Sequence, residues 1–519
     1  MKNYLLLWIL LALLLFAVLM LFAYGWDILP FSSIQLLVIA TVIGALVVAN
    51  EMKRPMPKEY YRQKAMNPAI PAKYLSDEPP TDGIVFGRDH KTGKFVVESN
   101  GHCMVVGSTG SGKTACCILP SILSHSTGSL QVIDIKSREL TYKSADILDN
   151  NTIIVDLDHK APYVYGWDIL YRLKRDGTDT EQDVLRVLQE VSSIVIPKSK
   201  SGDQFWNDSA RALFIGLSLY EICYEQNFEF IDVVQTLMNV PLRDHLDKAL
   251  NTVPKTSIVA SYLTGLANTA DETLFSCDIT MCSFFYQFLS EEIVYCLRDN
   301  PKRADPTMLN KEGVRQYLCV SEEKLSSGFS RVMNMILKQT LVELQSRTTG
   351  GEYPRVNLVW DEYQKMTEDL EEMRTFTASF LKTARSKNCA LTIVAQNLDG
   401  FDKSTVYDTI SNVHYLYVLS SNNANSLTSE VVCKMAGSYY EKAVSTSEGK
   451  GTSKSTSFQE KPILSPEDLN CLGEDAVLII TNHGFVKVHR EGSAYYKTEP
   501  FKAKYEKILS VNRTAMEGV

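Results

Sequence analysis

Cys103-Met104-Val105-Val106-Gly107-Ser108-Thr109-Gly110-Ser111-Gly112-Lys113-Thr114, followed by an apolar stretch from Ala115 to Leu123, decides the fold. The four apolar residues read as a short buried strand, and the pattern after Thr114 reads as a helix. Between them stands a complete G-x-x-x-x-G-K-[ST] loop in the strand–loop–helix context that the motif requires. Its glycines let backbone N–H groups wrap phosphates, and the following helix adds its positive N-terminal end. Gly107, Ser108, Thr109, Gly110, Ser111, Gly112, Lys113 and Thr114 are therefore the expected nucleotide-binding residues. Lys113 reaches the β- and γ-phosphates, and the Thr114 hydroxyl ligates Mg²⁺.

Such a loop needs an acidic partner at the end of another strand. Val356-Asn357-Leu358-Val359-Trp360 reads as that strand, and Asp361-Glu362 ends it. Asp361 is placed to hold Mg²⁺ through water and Glu362 to polarise the attacking water, a pairing that points to hydrolysis as well as binding. No NKxD base-recognition motif and no LSGGQ-like signature follows, which turns the reading from GTPases and ABC transporters toward ring-forming motors using ATP and Mg²⁺. Further strands at Leu130–Ile135, Thr152–Asp156, Ala390–Ala395, Tyr415–Leu419 and Ala476–Thr481 alternate with helical patterns, as a mostly parallel RecA-like sheet requires. Gln396 follows one of them at the catalytic edge, where an amide can sense the γ-phosphate; the plainer reading is a polar residue at a strand end.

The chain ahead of this body is of another kind. Tyr4 to Ala23 is an unbroken apolar or aromatic run, which as a helix spans roughly 30 Å, the depth of a bilayer core. Its length, and a second apolar run from Ile34 to Ala49, argue against a cleaved signal peptide. Lys2 on one side, and Lys53, Arg54, Lys58, Arg62 and Lys64 on the other, orient the pair with both ends in the cytoplasm. A two-pass transmembrane hairpin in the cell membrane, in contact with lipid, is expected. A helix buried in the soluble body is the alternative for the second run.

Composition narrows the partners. The chain has 519 residues, 45% of them hydrophobic and 22% charged, in the range of a globular protein of two or three domains. A formal net charge of -8 argues against a surface that coats nucleic acid generally and confines any such contact to a local channel. The 11 cysteines show no CxxC or Cys/His spacing of a zinc site and read as reduced cytosolic thiols.

Several further segments, in order, resemble the type IV coupling proteins of the TraG/TraD kind. Gly83-Ile84-Val85-Phe86-Gly87-Arg88-Asp89 is similar to the family's opening strand, and Ile133-Asp134-Ile135-Lys136-Ser137-Arg138-Glu139-Leu140 resembles its D-K-x-E-L segment. Tyr165-Gly166-Trp167-Asp168-Ile169-Leu170 stands where the family carries a YNPL-D-like element, with Gly166 and Trp167 replacing Asn-Pro. Asp203 to Leu213 is similar to the opening of the family's helical domain, and Pro462 to Leu469 to its late PL-x-P-x-EL stretch. Leu381-Lys382-Thr383-Ala384-Arg385 and Ile393-Val394-Ala395-Gln396-Asn397 match the region where the family carries an arginine finger and a sensor glutamine. Trp360 and Tyr363 flank the acidic pair less typically.

The resemblance implies a hexameric ring that passes single-stranded DNA with bound relaxase to a type IV secretion channel. It gives Arg385 the finger role and Gln396 the sensor role; a charge favoured by a helix C-terminus is the plain alternative for Arg385. The expected organisation is a transmembrane hairpin over 1–50, a juxtamembrane linker over 51–82, a nucleotide-binding domain over 83–175 and 309–510, and an inserted all-α domain over 176–308. The aromatics Phe205, Trp206, Phe284, Phe285 and Tyr286 read as core in preference to base-stacking groups. Ser445 to Ser457 reads as a mobile loop. An ATPase exporting protein effectors and an ATP-switched docking scaffold are the competing functions; Glu362, Arg385 and Gln396 weigh against the scaffold. An FtsK-type translocase is disfavoured because no winged-helix-like module follows Lys507.

Overall fold

The structure, a computed structural model, describes residues 68–517 except 99, 199–203, 368–370, 400, 402, 422–425, 449–451 and 482. The expected transmembrane hairpin and most of the expected linker lie outside the described residues. Among those described, no helix is long and apolar enough to cross a membrane.

The strands in chain order are β1 Leu75–Ser76, β2 Ile84–Arg88, β3 Phe95–Glu98, β4 Cys103–Val106, β5 Ser129–Asp134, β6 Thr152–Asp156, β7 Val164–Trp167 and β8 Arg303–Ala304. They continue with β9 Arg315–Cys319, β10 Val356–Trp360, β11 Cys389–Ala395, β12 Tyr415–Val418, β13 Ser438–Glu448, β14 Thr452–Pro462, β15 Asp475–Ile480 and β16 Gly484–His489. All but β13 and β14 form one sheet, in the order β1-β3-β2-β16-β15-β12-β4-β11-β10-β5-β9-β6-β7-β8. From β12 to β8 every neighbouring pair is parallel. The other end is an antiparallel wing, in which β15 runs against β12 and β16 against β15. The strand expected at Ala476–Thr481 thus belongs to the wing.

Alternate residues of the parallel strands feed two separate apolar layers, as a sheet covered on both faces demands. Met104 and Val106 of β4 enter one layer with Leu358 and Trp360 of β10, and this layer holds the long helices Glu181–Val195, Gln204–Cys223 and Ser330–Ser346. Cys103 and Val105 enter the other, under the helical segment after Lys113 and Phe501 of the helix Phe501–Glu517.

Between β7 and β8 the described chain is helical from Glu181 to Asp299, and it shares the first apolar layer with the sheet. The stretch expected to be all helix ends on β8, which pairs with β7. Gly166 explains the departure from Asn-Pro there: a Cβ would stand 2.2 Å from the Cys296 carbonyl oxygen, so only glycine lets the backbones approach. Trp167 beside it is buried and donates its indole N–H to Gln339 Oε1 at 2.9 Å.

Three expectations are corrected. The end of the expected linker is structured: Tyr74 is buried and packs edge-to-face on Tyr415, with centroids 6.1 Å apart, because an aromatic at the sheet edge gains more from burial than from water. The expected loop Ser445–Ser457 lies largely within the ribbon β13–β14. Its paired strands satisfy each other's backbone groups. The five aromatics divide: Phe285 is fully buried and Trp206 and Phe284 pack against the core, but Phe205 and Tyr286 are exposed.

Candidate active site

Parallel pairing aligns the strand ends. Val106 is in register with Ala395, and Trp360 with both Ile393 and Ile133. The residues just beyond these strands therefore emerge side by side: the loop from Gly107, Gln396, the pair Asp361–Glu362, and Lys136. In the loop, Gly110 and Gly112 hold positive φ of 77° and 88°. A side chain at Gly112 would also collide with the Arg490 guanidinium, since an ideal Cβ lies 2.5 Å from Nη1.

Lys113 is buried and donates to the carbonyl oxygens of Gly107 and, at 3.1 Å, Ser108. Burial lowers its pKa; the Glu362 and Asp361 carboxylates oppose that shift and Lys136 adds to it. Thr114 begins the helical segment Thr114–Ile118. Asp361 is buried, its Oδ1 accepts from the Glu362 amide at 3.0 Å, and burial pushes its pKa up to about 6 against the pull of Lys136.

Glu362 takes the left-handed conformation, φ 48° and ψ 38°, a strained geometry for a side-chain-bearing residue that turns the chain sharply at the strand end. Lys136 Nζ lies 2.5 Å from Glu362 Oε1 and 3.5 Å from Asp361 Oδ2. Gln396 Nε2 donates to Glu362 at 3.1 Å. Burial alone would raise the Glu362 pKa, but Lys136, Gln396 and Lys113 outweigh it and hold the carboxyl below its ordinary value. Burial likewise opposes the Lys136 charge, and Asp361 and Glu362 overcome it to keep the lysine pKa high. A polar cavity of about 440 Å³ opens beside Ser108, Thr109 and Gln396, lined also by Asn397, Asp399 and Ser420.

The structure thus brings Lys113, Asp361, Glu362 and Gln396 together, but not Arg385. That residue opens the short turn Arg385–Lys387 before β11. A strand of seven residues separates it from Gln396, so it stands about 20 Å away at the opposite edge of the sheet. Its side chain is exposed and, among the described residues, makes no hydrogen bond or ion pair. Lys136, by contrast, was not expected as a site residue. Its signal was the Ile133-Asp134-Ile135 run ahead of it, whose strand lies beside β10. Asp134 secures the turn by accepting from the Thr141 amide at 2.8 Å and the Thr141 hydroxyl at 2.9 Å. Trp360 and Tyr363, which flank the acidic pair, are stacked core residues with ring centroids 5.8 Å apart.

A glycine-rich loop, a strand-end acidic pair and a strand-end glutamine on the parallel strands β12-β4-β11-β10-β5 define a RecA-like P-loop fold. The family model described as Type IV secretory system Conjugative DNA transfer matches residues 62–518, and the chain belongs to this family of type IV coupling proteins. No curated protein sequence matches the chain. Among solved structures, the unbound monoclinic form of the bacterial conjugative coupling protein TrwBdeltaN70 is 14% identical, with a TM-score of 0.56 over 75% of this chain and 85% of that one. The plasmid coupling protein TrwB in complex with the non-hydrolysable ATP analogue ADPNP is 14% identical with a TM-score of 0.57 over the same shares. TrwB in complex with ADP and Mg²⁺ is 15% identical with a TM-score of 0.55, over 75% of this chain and 84% of that one. The shared feature is the fold.

Proposed function

We propose that the chain is a membrane-anchored ATPase that moves single-stranded DNA with its bound relaxase into a type IV secretion channel, working as a homo-oligomeric ring, a hexamer. The observation that carries the hydrolytic part is the network in which Glu362, in a strained backbone conformation, is held by Lys136 and Gln396 beside Lys113. The donors fit ATP with Mg²⁺: an ammonium at Lys113, a hydroxyl at Thr114, a buried carboxylate at Asp361 and the backbone of residues 107–112. TrwB, of the same fold, has been solved with ADPNP and with ADP and Mg²⁺. Bound there, Mg²⁺ would neutralise charge developing on the phosphates.

The chain's own groups then divide the work. Lys113 compensates phosphate charge, and Glu362, anionic because of Lys136, accepts the proton of the attacking water. Gln396 fixes the Glu362 carboxylate and stands where the γ-phosphate is sensed. Arg385, too far from its own loop, serves the loop of the neighbouring subunit, so that hydrolysis requires assembly. The family's role in conjugative DNA transfer favours DNA over a protein effector as cargo. The two N-terminal apolar runs supply the anchor, with the ATPase body in the cytoplasm.

Glu362→Gln tests the hydrolytic assignment. It should retain ATP at near wild-type affinity while turnover falls by roughly a hundredfold or more, because the amide accepts no proton. Normal ATPase rates in this variant would remove Glu362 from the mechanism.

A further inference from the structure

At the far side of the antiparallel wing, three strands bring together donors that the nucleotide chemistry does not use. His90 lies in the turn after β2, Asp475 opens β15 and His489 closes β16. Asp475 and His489 are direct partners across the β15–β16 pair, and His489 is in register with Arg88 of β2. The turn carrying His90 is itself fixed, because Asp89 Oδ2 accepts from the amide and hydroxyl of Thr92 at 2.9 and 2.7 Å. His90 Nε2 stands 2.7 Å from Asp475 Oδ1, and His489 Nδ1 stands 3.9 Å from the same oxygen. One donor atom from each of the three residues falls within 4.8 Å of the other two.

We propose that His90, Asp475 and His489 form a binding site for a zinc-class divalent transition-metal ion, clamping β2 to the β15–β16 hairpin. Around a tetrahedral ion with bonds of about 2.0–2.1 Å, ligand atoms sit about 3.3 Å apart, so the observed separations bracket the required value. The His489 Nδ1 atom is buried yet has no hydrogen-bond partner, and an ion between it and Asp475 would satisfy it. Two imidazoles and one carboxylate select zinc, nickel or copper over the all-oxygen preferences of Mg²⁺ and Ca²⁺. The site is thereby chemically separate from that of the nucleotide's metal. Solvent reaches the cluster, with His90 at 53% and Asp475 at 28% side-chain exposure, which leaves an ion an entry path and a water a fourth position.

The position gives the ion a consequence. The residues after His489 turn back onto the phosphate loop: Arg490 packs against Gly112, the Ser493 hydroxyl donates to the Cys116 carbonyl at 2.6 Å, and the Tyr495 amide donates to the Ala115 carbonyl at 3.0 Å. Arg88 on β2 donates to the Gly492 carbonyl at 2.9 Å. An ion joining β2 to β16 holds both ends of this brace.

The full chain, freed of metal by chelation, is titrated with Zn²⁺ alone and, separately, with Co²⁺ as a spectroscopic probe, in excess Mg²⁺. Wild type should bind Zn²⁺ tightly, raise its thermal midpoint, and give the visible absorption of four-coordinate Co²⁺ without a thiolate charge-transfer band. Loss of a second-shell partner costs about 10–100-fold in metal affinity, so His90→Ala and His489→Ala should each weaken binding by at least roughly that factor. Asp475→Asn should weaken it too, and Cys471→Ser should leave it intact. Unchanged thermal midpoints of the metal-free variants show that each is folded. Equal Zn²⁺ affinity in the His90→Ala/His489→Ala double variant, a thiolate band with Co²⁺, or no binding by wild type would each overturn the proposal.

Discussion

At the carboxyl ends of the parallel strands, Lys113, Lys136, Asp361, Glu362 and Gln396 form one network; at the amino ends, about 20 Å away along β11, stand Arg385, Arg355, His102 and His414. The first edge balances charge, each carboxylate answered by a lysine. At the second edge Arg355 is paired with Asp82 at 3.7 Å, and burial, then His414, Arg355 and Arg385, push the His102 pKa down to about 4. One chain therefore presents the candidate nucleotide site on one edge and an exposed arginine on the other. Under the proposed ring, those edges belong to one active site only when two subunits meet.

The largest expected effects set the two edges apart. Lys113→Ala should weaken ATP binding and abolish turnover, because it removes charge compensation at the phosphates. Arg385→Ala should cost about 10³-fold or more in turnover while leaving ATP affinity of the separate subunit unchanged, as an arginine acting from outside must. Equilibrium binding of a fluorescent ATP analogue, set beside steady-state hydrolysis, distinguishes them. If Arg385→Ala weakens binding as Lys113→Ala does, the separation of edges fails.

A smaller effect probes the first edge alone. Lys136→Met removes the ion pair that holds Glu362 and should lower kcat by roughly 10–100-fold with little change in ATP affinity. Single-turnover kinetics check this, and an unaltered kcat would reduce Lys136 to a structural ion pair.

The smallest lies away from both edges and should change stability without changing hydrolysis. Glu190 is largely buried and salt-bridged to Arg172 at 2.8 Å, and burial, opposed by Arg172, raises its pKa to about 7. A carboxyl whose folded pKa exceeds its unfolded value near 4.3 favours the fold at low pH, and that contribution is lost as pH rises through about 7. Glu190→Gln should therefore be more stable than wild type at pH 8 by roughly 1–2 kcal/mol, with the difference fading below pH 5. Arg172 keeps Glu343 as a partner in the variant. Urea denaturation at the two pH values measures it.

The carboxyl edge was the most legible part of the sequence, because phosphate chemistry ties residue types to fixed spacing. The glycine loop and the acidic pair each announced themselves after an apolar strand, and β4, β6 and β10 begin and end where the pattern placed them. Lys136 carries no comparable signal, because a lone lysine after a strand has no signature until its neighbouring strand is known. Strand β9 is hidden for a different reason. It opens with Arg315-Gln316, and Gln316 is buried in the sheet accepting from Gln131 Nε2 at 2.7 Å, a polar pair that breaks the apolar pattern. The wing strand β16 is half polar, and β13–β14 draws its order from a backbone ladder that composition does not display. Spacing also could not show on which edge Arg385 would fall, since eleven residues that include a strand carry the chain across the whole sheet.

Mixing two inactive proteins tests the shared active site most directly. In rings assembled from Lys113→Ala and Arg385→Ala subunits, about a quarter of the interfaces join an intact phosphate loop on the Arg385→Ala subunit to an intact Arg385 on the Lys113→Ala subunit. ATPase activity absent from either protein alone should return on mixing, to a fraction of the wild-type rate. No recovery, in rings shown to contain both kinds of subunit, would contradict the claim that Arg385 completes a neighbour's site.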